Sequence, residues 1–358
     1  MNTSSSFIVD LSNHQAAALK WLLRSCAVND GAGSSAFYAR WRHWRRGWAA
    51  PYPETTGYLI PTLFAYQTRF PEDQSATVAR SCYQWLLRLA QPSGAYASLY
   101  ASSGEPSLFN TGQILLGLVA GWEDRPSAAA EGIINRSIDW CLHAVSDPQK
   151  EIPGLYTSGF LAAYYIRAIW PIAAAMAAVG RKNEWDKLDA ICAFLAQNIQ
   201  PDGGLREAGF QPGAAAFLHT IAYTMRGWWE LGRLWQKEET QDQALHILAH
   251  YWERKEIAGR WAGAYRNPGE DQLHFNCLPG LAQMAIILQK IGKEKGIKAY
   301  QVEACRIVEE LCQYQKKGRN LNTKGAFAGS SPFWGPYMPL RYPNWGAKFF
   351  LDAAALMD

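Results

Sequence analysis

Long apolar runs with helical periodicity recur along the chain, and those of one kind all open on polar residues. Runs rich in Leu, Ala and Ile return about every 55 residues, and a more polar helical segment lies between each pair. Each opening places Thr, Asn, His or Glu directly before its apolar run. The six openings are residues 53–58, 109–113, 156–160, 218–220, 275–277 and 343–345.

This pattern predicts helices and no strand with convincing alternation. Apolar positions form helical stripes, as at Ala18, Trp21 and Leu22, and Gly and Pro clusters mark the joins. The predicted helices are 14–27, 54–70, 76–91, 110–123, 127–145, 158–179, 184–199, 214–235, 239–254, 276–293, 297–316 and 344–357. Six apolar inner helices alternating with six more polar outer ones predict an all-α (α/α)6 toroid, whose polar openings surround a central cavity.

A second repeated signal follows the outer helices, at residues 91–96, 200–204 and 260–265. These segments resemble the Gln-x-x-x-Gly-x-Trp turns of the prenyltransferase and squalene-cyclase toroids. Gly closes such a turn and Gln can bond exposed helix ends, so we interpret the segments as structural staples. Because no linker rich in Pro, Ser or charge divides the chain, we predict one domain over 1–358 with a flexible N-terminus at 1–13.

Composition narrows the classes of function. The 358 residues are 49% hydrophobic and 18% charged, and a net charge of +4 is too small and too dispersed to indicate nucleic acid as a partner. The one dense basic patch is 40–48, where arginines alternate with tryptophans. Trp44 in this patch suits a sugar ring that carries a carboxylate, and an Arg-capped packing surface is the structural alternative.

Cysteine usage and the N-terminus bear on location. Seven cysteines without a Cys-x-x-Cys pair fall mostly in apolar helical stretches, which is typical of reduced, buried thiols. The first eleven residues lack the basic and apolar regions of a signal peptide, and no apolar run reaches membrane-spanning length. We therefore expect a cytoplasmic protein without a membrane span.

The first opening carries the leading candidate for acid catalysis. Residues 53–58 read Pro-Glu-Thr-Thr-Gly-Tyr and resemble the Ser-Glu-Gly-x-x-Tyr opening of an inverting glycoside hydrolase family with an (α/α)6 barrel. The resemblance implies that Glu54 is a general acid at the start of an inner helix; capping of that helix is the structural alternative. A carboxyl that faces a cavity among aromatic rings can hold a proton near neutral pH.

A glycosidase also needs a second carboxylate across the cavity, and the sequence marks it less clearly. Asp202, Glu207, Glu270 and Asp271 lie in loops within reach of the inner mouth. Asp202 is equally a turn former, since it lies in Pro-Asp-Gly-Gly. Asp271 lies four residues before the opening at 275–277, so we favour it as the second catalytic carboxylate.

The fourth opening leaves a different chemistry open. His219, Tyr223 and Arg226 are spaced by four and three residues, which places them on one face of a helix. With Asn110 they supply the residue types of (α/α) toroid polysaccharide lyases. Those enzymes neutralise a uronate carboxylate, abstract the C5 proton and protonate the leaving oxygen. His219 and Tyr223 are the catalytic candidates for that reaction, and a satisfied core histidine is the structural alternative.

The remaining openings offer substrate contacts. Trp345 supplies a ring for stacking and Lys348 a cation, and six helix N-termini that face one cavity sum to a positive field. Together with Arg226 this field favours an anionic ligand, which could be a uronic acid, a phosphorylated sugar or a diphosphate. Further substrate contacts are expected from Tyr58, Asn110, Gln113, Tyr156, Asn276 and Asn344.

Neither a metal nor a cofactor is expected. The acid and magnesium motifs of terpene cyclases, Asp-x-Asp-Asp and Asp-Asp-x-x-Asp, do not occur in the sequence. The segment at Cys277 resembles that of lanthipeptide cyclases, but Leu278 replaces the expected His. His246 and His250 have metal-ligand spacing and no acidic third ligand nearby.

The chain as a whole resembles bacterial six-hairpin toroid proteins that are often encoded with polysaccharide-assembly genes, over roughly 50–357. The matching strings include Pro-Glu-Thr-Thr-Gly-Tyr at 53–58, Asn-Thr-Gly-Gln at 110–113, His-Thr-Ile-Ala-Tyr at 219–223 and Tyr-Pro-Asn-Trp at 342–345. The resemblance implies a glycan setting. The expected partners are an acidic oligo- or polysaccharide and other polysaccharide-assembly proteins.

We therefore expect a carbohydrate-active enzyme that processes an acidic, uronic-acid-containing glycan. Hydrolysis with Glu54 as general acid is the leading hypothesis, ahead of elimination or C5 epimerisation by His219 and Tyr223. A non-catalytic glycan-binding or assembly protein is a second class. An isoprenoid-processing enzyme on the same architecture is a third, and the missing acidic motifs count against it.

Overall fold

Helices account for most of the residues that the computed structural model describes, which are 11–39, 47–100, 104–150, 152–266 and 270–357. The inner helices are α2 (Pro53–Gln67), α4 (Leu108–Asp124), α6 (Ile166–Ala178), α8 (Leu218–Trp235), α10 (Leu278–Lys295) and α12 (Asn344–Ala355). The outer helices are α1 (Leu11–Ala27), α3 (Ser75–Leu89), α5 (Ala128–Ala144), α7 (Asp189–Ala196), α9 (Glu238–Ala258) and α11 (Lys298–Tyr314).

The inner helices form a closed ring. Each of them packs against the next in the order α2, α4, α6, α8, α10 and α12, and α12 packs against α2. The outer helices pack on the outside of this ring, with α1 on α12, α3 on α2, α9 on α8 and α11 on α10. Inner helices such as α8 and α10 are buried on nearly all sides, whereas α9 buries one stripe, and this difference explains the alternation of apolar and polar segments. The expected (α/α)6 toroid is confirmed.

Glycine lets neighbouring inner helices approach closely. A Cβ atom on Gly117 of α4 would lie 2.3 Å from the carbonyl oxygen of Gly57 in α2. A Cβ on Gly57 would in turn lie 2.5 Å from the Cα of Ile114. Both distances are shorter than van der Waals contact, so the two helices could not hold this separation with larger residues.

Three short antiparallel pairs connect the hairpins around the helix openings. β1 (Phe37–Tyr38) pairs with β6 (Tyr342–Pro343), β2 (Ala216–Phe217) with β3 (Ala264–Tyr265), and β4 (Asn276–Cys277) with β5 (Ser330–Ser331). In each pair, the strand before an inner helix meets the strand that follows an outer helix. The pairing of β1 with β6 links the first and last hairpins.

Two helix predictions are corrected at their ends. The run predicted at 158–179 starts as a helix only at Ile166, because Gly159 has a positive φ of 70° and 163–165 form a 3₁₀ turn. The helix predicted at 184–199 is a 3₁₀ segment over 182–188 followed by the short α7. At the N-terminus, α1 begins at Leu11, so residues 11–13 are helical and only 1–10 lie outside the described residues.

Glutamine side chains in the turns after outer helices donate to backbone carbonyls nearby. The Gln91 amide donates to the carbonyl oxygen of Gly104, and the turn closes at Gly94, whose φ is 90°. The Gln315 amide donates to the carbonyl oxygens of His14 and Gly325. No helix in the described part of the chain is long and apolar enough to cross a bilayer.

Candidate active site

Polar side chains from several inner-helix openings meet inside the ring. Glu54 is the second residue of α2, exposes 6% of its surface, and accepts a hydrogen bond from the Tyr156 hydroxyl at 3.1 Å. The same hydroxyl lies 2.5 Å from the side-chain oxygen of Asn110, which is at the start of α4, and 3.3 Å from the Tyr52 hydroxyl. Pro53 precedes Glu54 at the first helical position, where Pro fits without losing a backbone hydrogen bond.

The surroundings of Glu54 keep its carboxyl protonated to near neutral pH. Burial raises the pKa of Glu54 from 4.5 to about 7, because a carboxylate loses its hydration there. Hydrogen bonds from Tyr52 and Tyr156 and the positive charge of Arg167 oppose this rise in pKa without cancelling it. A carboxyl with a pKa near 7 can hold a proton and release it at the pH of a cell, as a general acid must.

A second group of side chains begins at His219, the second residue of α8. Its ring packs against Tyr223 with centroids 4.3 Å apart and against Tyr337 at 5.1 Å. Tyr223 in turn shares a hydrogen bond with Tyr58 of α2. Burial lowers the pKa of His219 to about 3, so its imidazole is neutral at physiological pH.

The tautomer of His219 follows from its amide partner. The side-chain nitrogen of Gln283, on α10, lies 2.6 Å from Nδ1 of His219 and also donates to the carbonyl oxygen of Pro279. An amide nitrogen only donates, so Nδ1 accepts and the proton of the neutral ring is on Nε2. In this arrangement Nε2 of His219 is an N–H donor and Nδ1 is occupied, so the ring is not placed to act as a base.

Arg167 on α6 is a central residue that the search of helix openings missed. Its side chain is 1% exposed and lies between the rings of Trp170, at 4.7 Å, and Tyr223, at 5.2 Å. Its positive charge acts to lower the pKa of Glu54, His219 and Lys348, so Arg167 lies near all three groups. A single Arg in the apolar run after 160 was the signal in the sequence.

Two further cations, Arg226 of α8 and Lys348 of α12, lie on inner helices, and each binds a carboxylate. The Arg226 Nε donates to Glu230 at 3.2 Å, and Lys290 meets the same carboxylate at 2.7 Å. Lys348 lies 2.5 Å from the Asp352 carboxylate. Burial lowers the pKa of Lys348 to about 8, while Asp352 opposes the shift.

The other expected contacts divide into neighbours of the site and structural groups. Gln113 donates to the backbone oxygen of Arg167 at 2.7 Å, so it holds α4 to α6 beside the site. Trp345 donates to the hydroxyl of Tyr337 at 3.0 Å and so supports a ring that covers His219. The Asn344 amide donates to the hydroxyls of Ser34, in the loop before α2, and Thr55, in the first turn of α2. Trp44 lies in 40–46, outside the described residues.

The structure corrects the expected placement of Asp271 and Asn276. Asp271 forms an ion pair with Arg254 of the outer helix α9. The Asn276 amide donates to the Tyr314 hydroxyl at 2.8 Å, at the end of the outer helix α11. Both side chains therefore face outer helices and do not join the group around Glu54. The number of residues between a side chain and a helix opening does not show which way the side chain faces, because successive residues of an extended segment point in opposite directions.

The other carboxylates considered also lie elsewhere. Asp202 accepts from the backbone of its own turn at Gly204, at 2.9 Å, and lies near His250. Glu207 accepts from the backbone of Gly213 at 3.2 Å. Among the described residues, no group of three or more His, Cys, Asp or Glu side chains is placed to hold a metal ion.

Comparison with known proteins gives structural neighbours only. No family profile and no curated protein matches the sequence. An unsaturated glucuronyl hydrolase specific for heparin has a TM-score of 0.74 at 12% identity, over 97% of this chain and 96% of its own. The unsaturated glucuronyl hydrolase from Bacillus sp. GL1 has a TM-score of 0.70 at 13% identity, over 96% of each chain.

Cellobiose 2-epimerase from Spirochaeta thermophila DSM 6192 is similar over 99% of both chains, with a TM-score of 0.72 at 11% identity. The fold is that of the six-hairpin (α/α)6 toroids. At these identities the likeness concerns the fold alone, and the chemistry depends on the side chains of this chain.

Proposed function

We propose that this protein is a glycoside hydrolase that acts on an acidic glycan, with Glu54 as the general acid. The observation that carries the proposal is the buried Glu54 carboxyl, whose pKa is raised to about 7 among the hydroxyls of Tyr52 and Tyr156. A proton donor in this state can supply the proton that acid-catalysed cleavage of a glycan requires. The fold shared with glucuronyl hydrolases supports a glycan substrate.

The positive charges inside the ring support an acidic substrate. Arg167, Arg226 and Lys348 are all buried or nearly so, and Glu54 adds no negative charge while it is protonated. An electropositive, desolvated interior favours a ligand with a carboxylate over a neutral sugar.

The Glu54 carboxyl differs from three other carboxyls because it has no cationic partner among the described residues, and this bears on the kind of substrate. Glu230, Asp352 and Asp271 each bind a cationic side chain, whereas the hydrogen-bond partner of Glu54 is a tyrosine hydroxyl. An unsaturated uronide carries an enol ether, and one acid suffices to cleave it. Glu54 donates its proton to C4 of the double bond, and water adds to C5 and returns a proton to Glu54. The resulting hemiketal opens by breaking its C5–O5 bond, and the hemiacetal left at C1 then collapses to an aldehyde and releases the next sugar as an alcohol. We therefore favour an unsaturated uronide at the end of the glycan.

Epimerisation or elimination is the second candidate, and the neutral His219 favours it. Its ring contacts Tyr223, and its pKa of about 3 leaves it unprotonated. The hydrogen bond from Gln283 weighs against His219 as a base, because it leaves the proton on Nε2. A cytoplasmic location and association with polysaccharide-assembly proteins stay predictions from the sequence.

Mass spectrometry of a glycan panel tests the proposal. The panel holds saturated and unsaturated uronate oligosaccharides and neutral oligosaccharides of the same length. We expect the mass of one water to be gained for each bond cleaved in the acidic members. Cleavage without water would indicate elimination, and deuterium uptake from heavy water without cleavage would indicate epimerisation. Either result, or no reaction with any acidic member, would overturn the hydrolase assignment.

A further inference from the structure

The guanidinium of Arg167 is buried, and part of it has no acceptor. Its side chain is 1% exposed, and within the described part of the chain its Nε and Nη1 atoms have no hydrogen-bond partner. Folded proteins rarely leave a buried charge in this state, since burial removes its hydration. An orphaned cation inside the ring of inner helices indicates a group that arrives with the ligand.

The neighbours of Arg167 hold it in place without neutralising it. Trp170 and Tyr223 provide ring faces 4.7 and 5.2 Å from its central carbon, which orient the plane of the guanidinium. Burial and, after it, the nearby charge of Arg226 lower the pKa of Arg167. The Nη1 atom of Arg226 also lacks a partner among the described residues. Two cations therefore share one apolar-walled space.

The nearby carboxylates are already committed to other cations. Glu230 binds Arg226, Lys290 and Arg233, at 3.2, 2.7 and 3.6 Å. Asp352 binds Lys348 and accepts from the Thr62 hydroxyl at 2.7 Å. The unpartnered donors of Arg167 thus remain available for an outside anion, and its charge acts on the nearby Glu54.

We propose that Arg167 is the specificity-determining residue of this site and binds the carboxylate of a sugar acid through N–H donors that have no partner in the described part of the protein. Planar guanidinium and carboxylate groups match in geometry and charge. The inference rests on the proposed action on acidic glycans and adds the residue that selects them. It places the acid group of the sugar over the rings of Trp170 and Tyr223, within the field of Arg226.

Calorimetric titration with D-glucuronate and its methyl ester tests this assignment. The ester has nearly the same shape and no charge. We expect the wild-type chain to prefer glucuronate by about tenfold or more in Kd, as for a charged hydrogen bond. Arg167→Met should reduce this preference to near unity, and Arg167→Lys, which keeps the charge but not the planar fork, should retain part of it. Arg88→Met, on the exposed face of the outer helix α3, is the matched control and should leave it unchanged.

A thermal melt without ligand separates this role from a structural one. A ligand-binding cation with no partner should cost stability, so Arg167→Met should melt at the wild-type temperature or above. A wild-type chain that binds acid and ester equally, or does not bind glucuronate, would overturn the inference, and so would an Arg167→Met chain that keeps the preference. If Arg167→Met does not fold, the wild-type and Arg167→Lys titrations decide.

The hydrolase proposal and this inference can fail separately. Glucuronate binding that depends on Arg167, with no hydrolysis of any glycan, would support the role of Arg167 and contradict the hydrolase proposal. Hydrolysis of a uronate oligosaccharide and its carboxyl-reduced form at equal rates would support the hydrolase proposal and contradict the role of Arg167.

Discussion

Replacing Glu54 by Gln should change how the stability of the protein depends on pH, even without substrate. The rise in its pKa from 4.5 to about 7 means that ionising the buried carboxyl costs about 3 kcal/mol more in the folded chain than in the unfolded chain. Gln keeps the shape of the side chain and an oxygen that can accept from Tyr156, and it cannot ionise. The variant therefore isolates the cost of the charge.

The direction of the effect follows from proton binding. Between pH 4.5 and about 7 the folded chain holds the Glu54 proton while the unfolded chain releases it. The free energy of unfolding should therefore fall as pH rises through this window, by up to about 3 kcal/mol, and stay lowered above it. For 358 residues this corresponds to roughly 4 °C in Tm.

Differential scanning calorimetry at pH 4.5 and pH 8 measures the effect. We expect Glu54→Gln to melt roughly 4 °C above the wild type at pH 8 and at nearly the same temperature at pH 4.5. Glu123→Gln is the control, because Glu123 is exposed near the end of α4 and should change neither value. A Glu54→Gln chain that is less stable than the wild type at pH 8, or a difference that does not vary with pH, would refute the reasoning.

Three further outcomes are expected. The rate of glycan cleavage should fall about tenfold per pH unit above pH 7 as the Glu54 proton is lost; a flat profile to pH 9 would contradict its role as acid. Gly117→Ala should destabilise the fold by on the order of 1–3 kcal/mol in urea titration, because its Cβ would strike the backbone of α2. Gly132→Ala, in the open interior of α5, should instead add about 0.5–1 kcal/mol. Nitrogen NMR should find the His219 proton on Nε2, and Gln283→Leu should mix the tautomers; a proton on Nδ1 in the wild type would contradict the hydrogen-bond assignment.

The sequence predicted the architecture because inner and outer helices differ in how many apolar positions they carry. An inner helix is buried nearly all round and an outer helix on one stripe, and this difference repeats along the chain. Polar residues at the starts of inner helices lie at one end of the ring, so Glu54, Asn110 and His219, with Tyr223 one turn further along α8, could be named together from their positions. Tyr156 was named with them, although α6 begins only at Ile166. The structure brings these five residues into one neighbourhood.

The parts of the site that the sequence did not predict depend on the directions of side chains, which the spacing of residues does not determine. Arg167 lies within the first turn of α6, in a run whose helix starts later than its apolar residues suggested. Asp271 precedes an opening in sequence, yet Arg254 attracts it to the outer helix. Asn276 belongs to a two-residue strand, where a shift of one residue reverses the side chain. Strand pairs this short have no alternation to detect.

Cleavage of a uronate oligosaccharide in water labelled with heavy oxygen tests the central claim most directly. The wild type and Glu54→Gln are compared by mass spectrometry of the products. We predict that the wild type adds one labelled oxygen for each bond cleaved and that Glu54→Gln does so about 100 to 10,000 times more slowly. Cleavage without the label, or labelled cleavage at an undiminished rate in Glu54→Gln, would contradict the account.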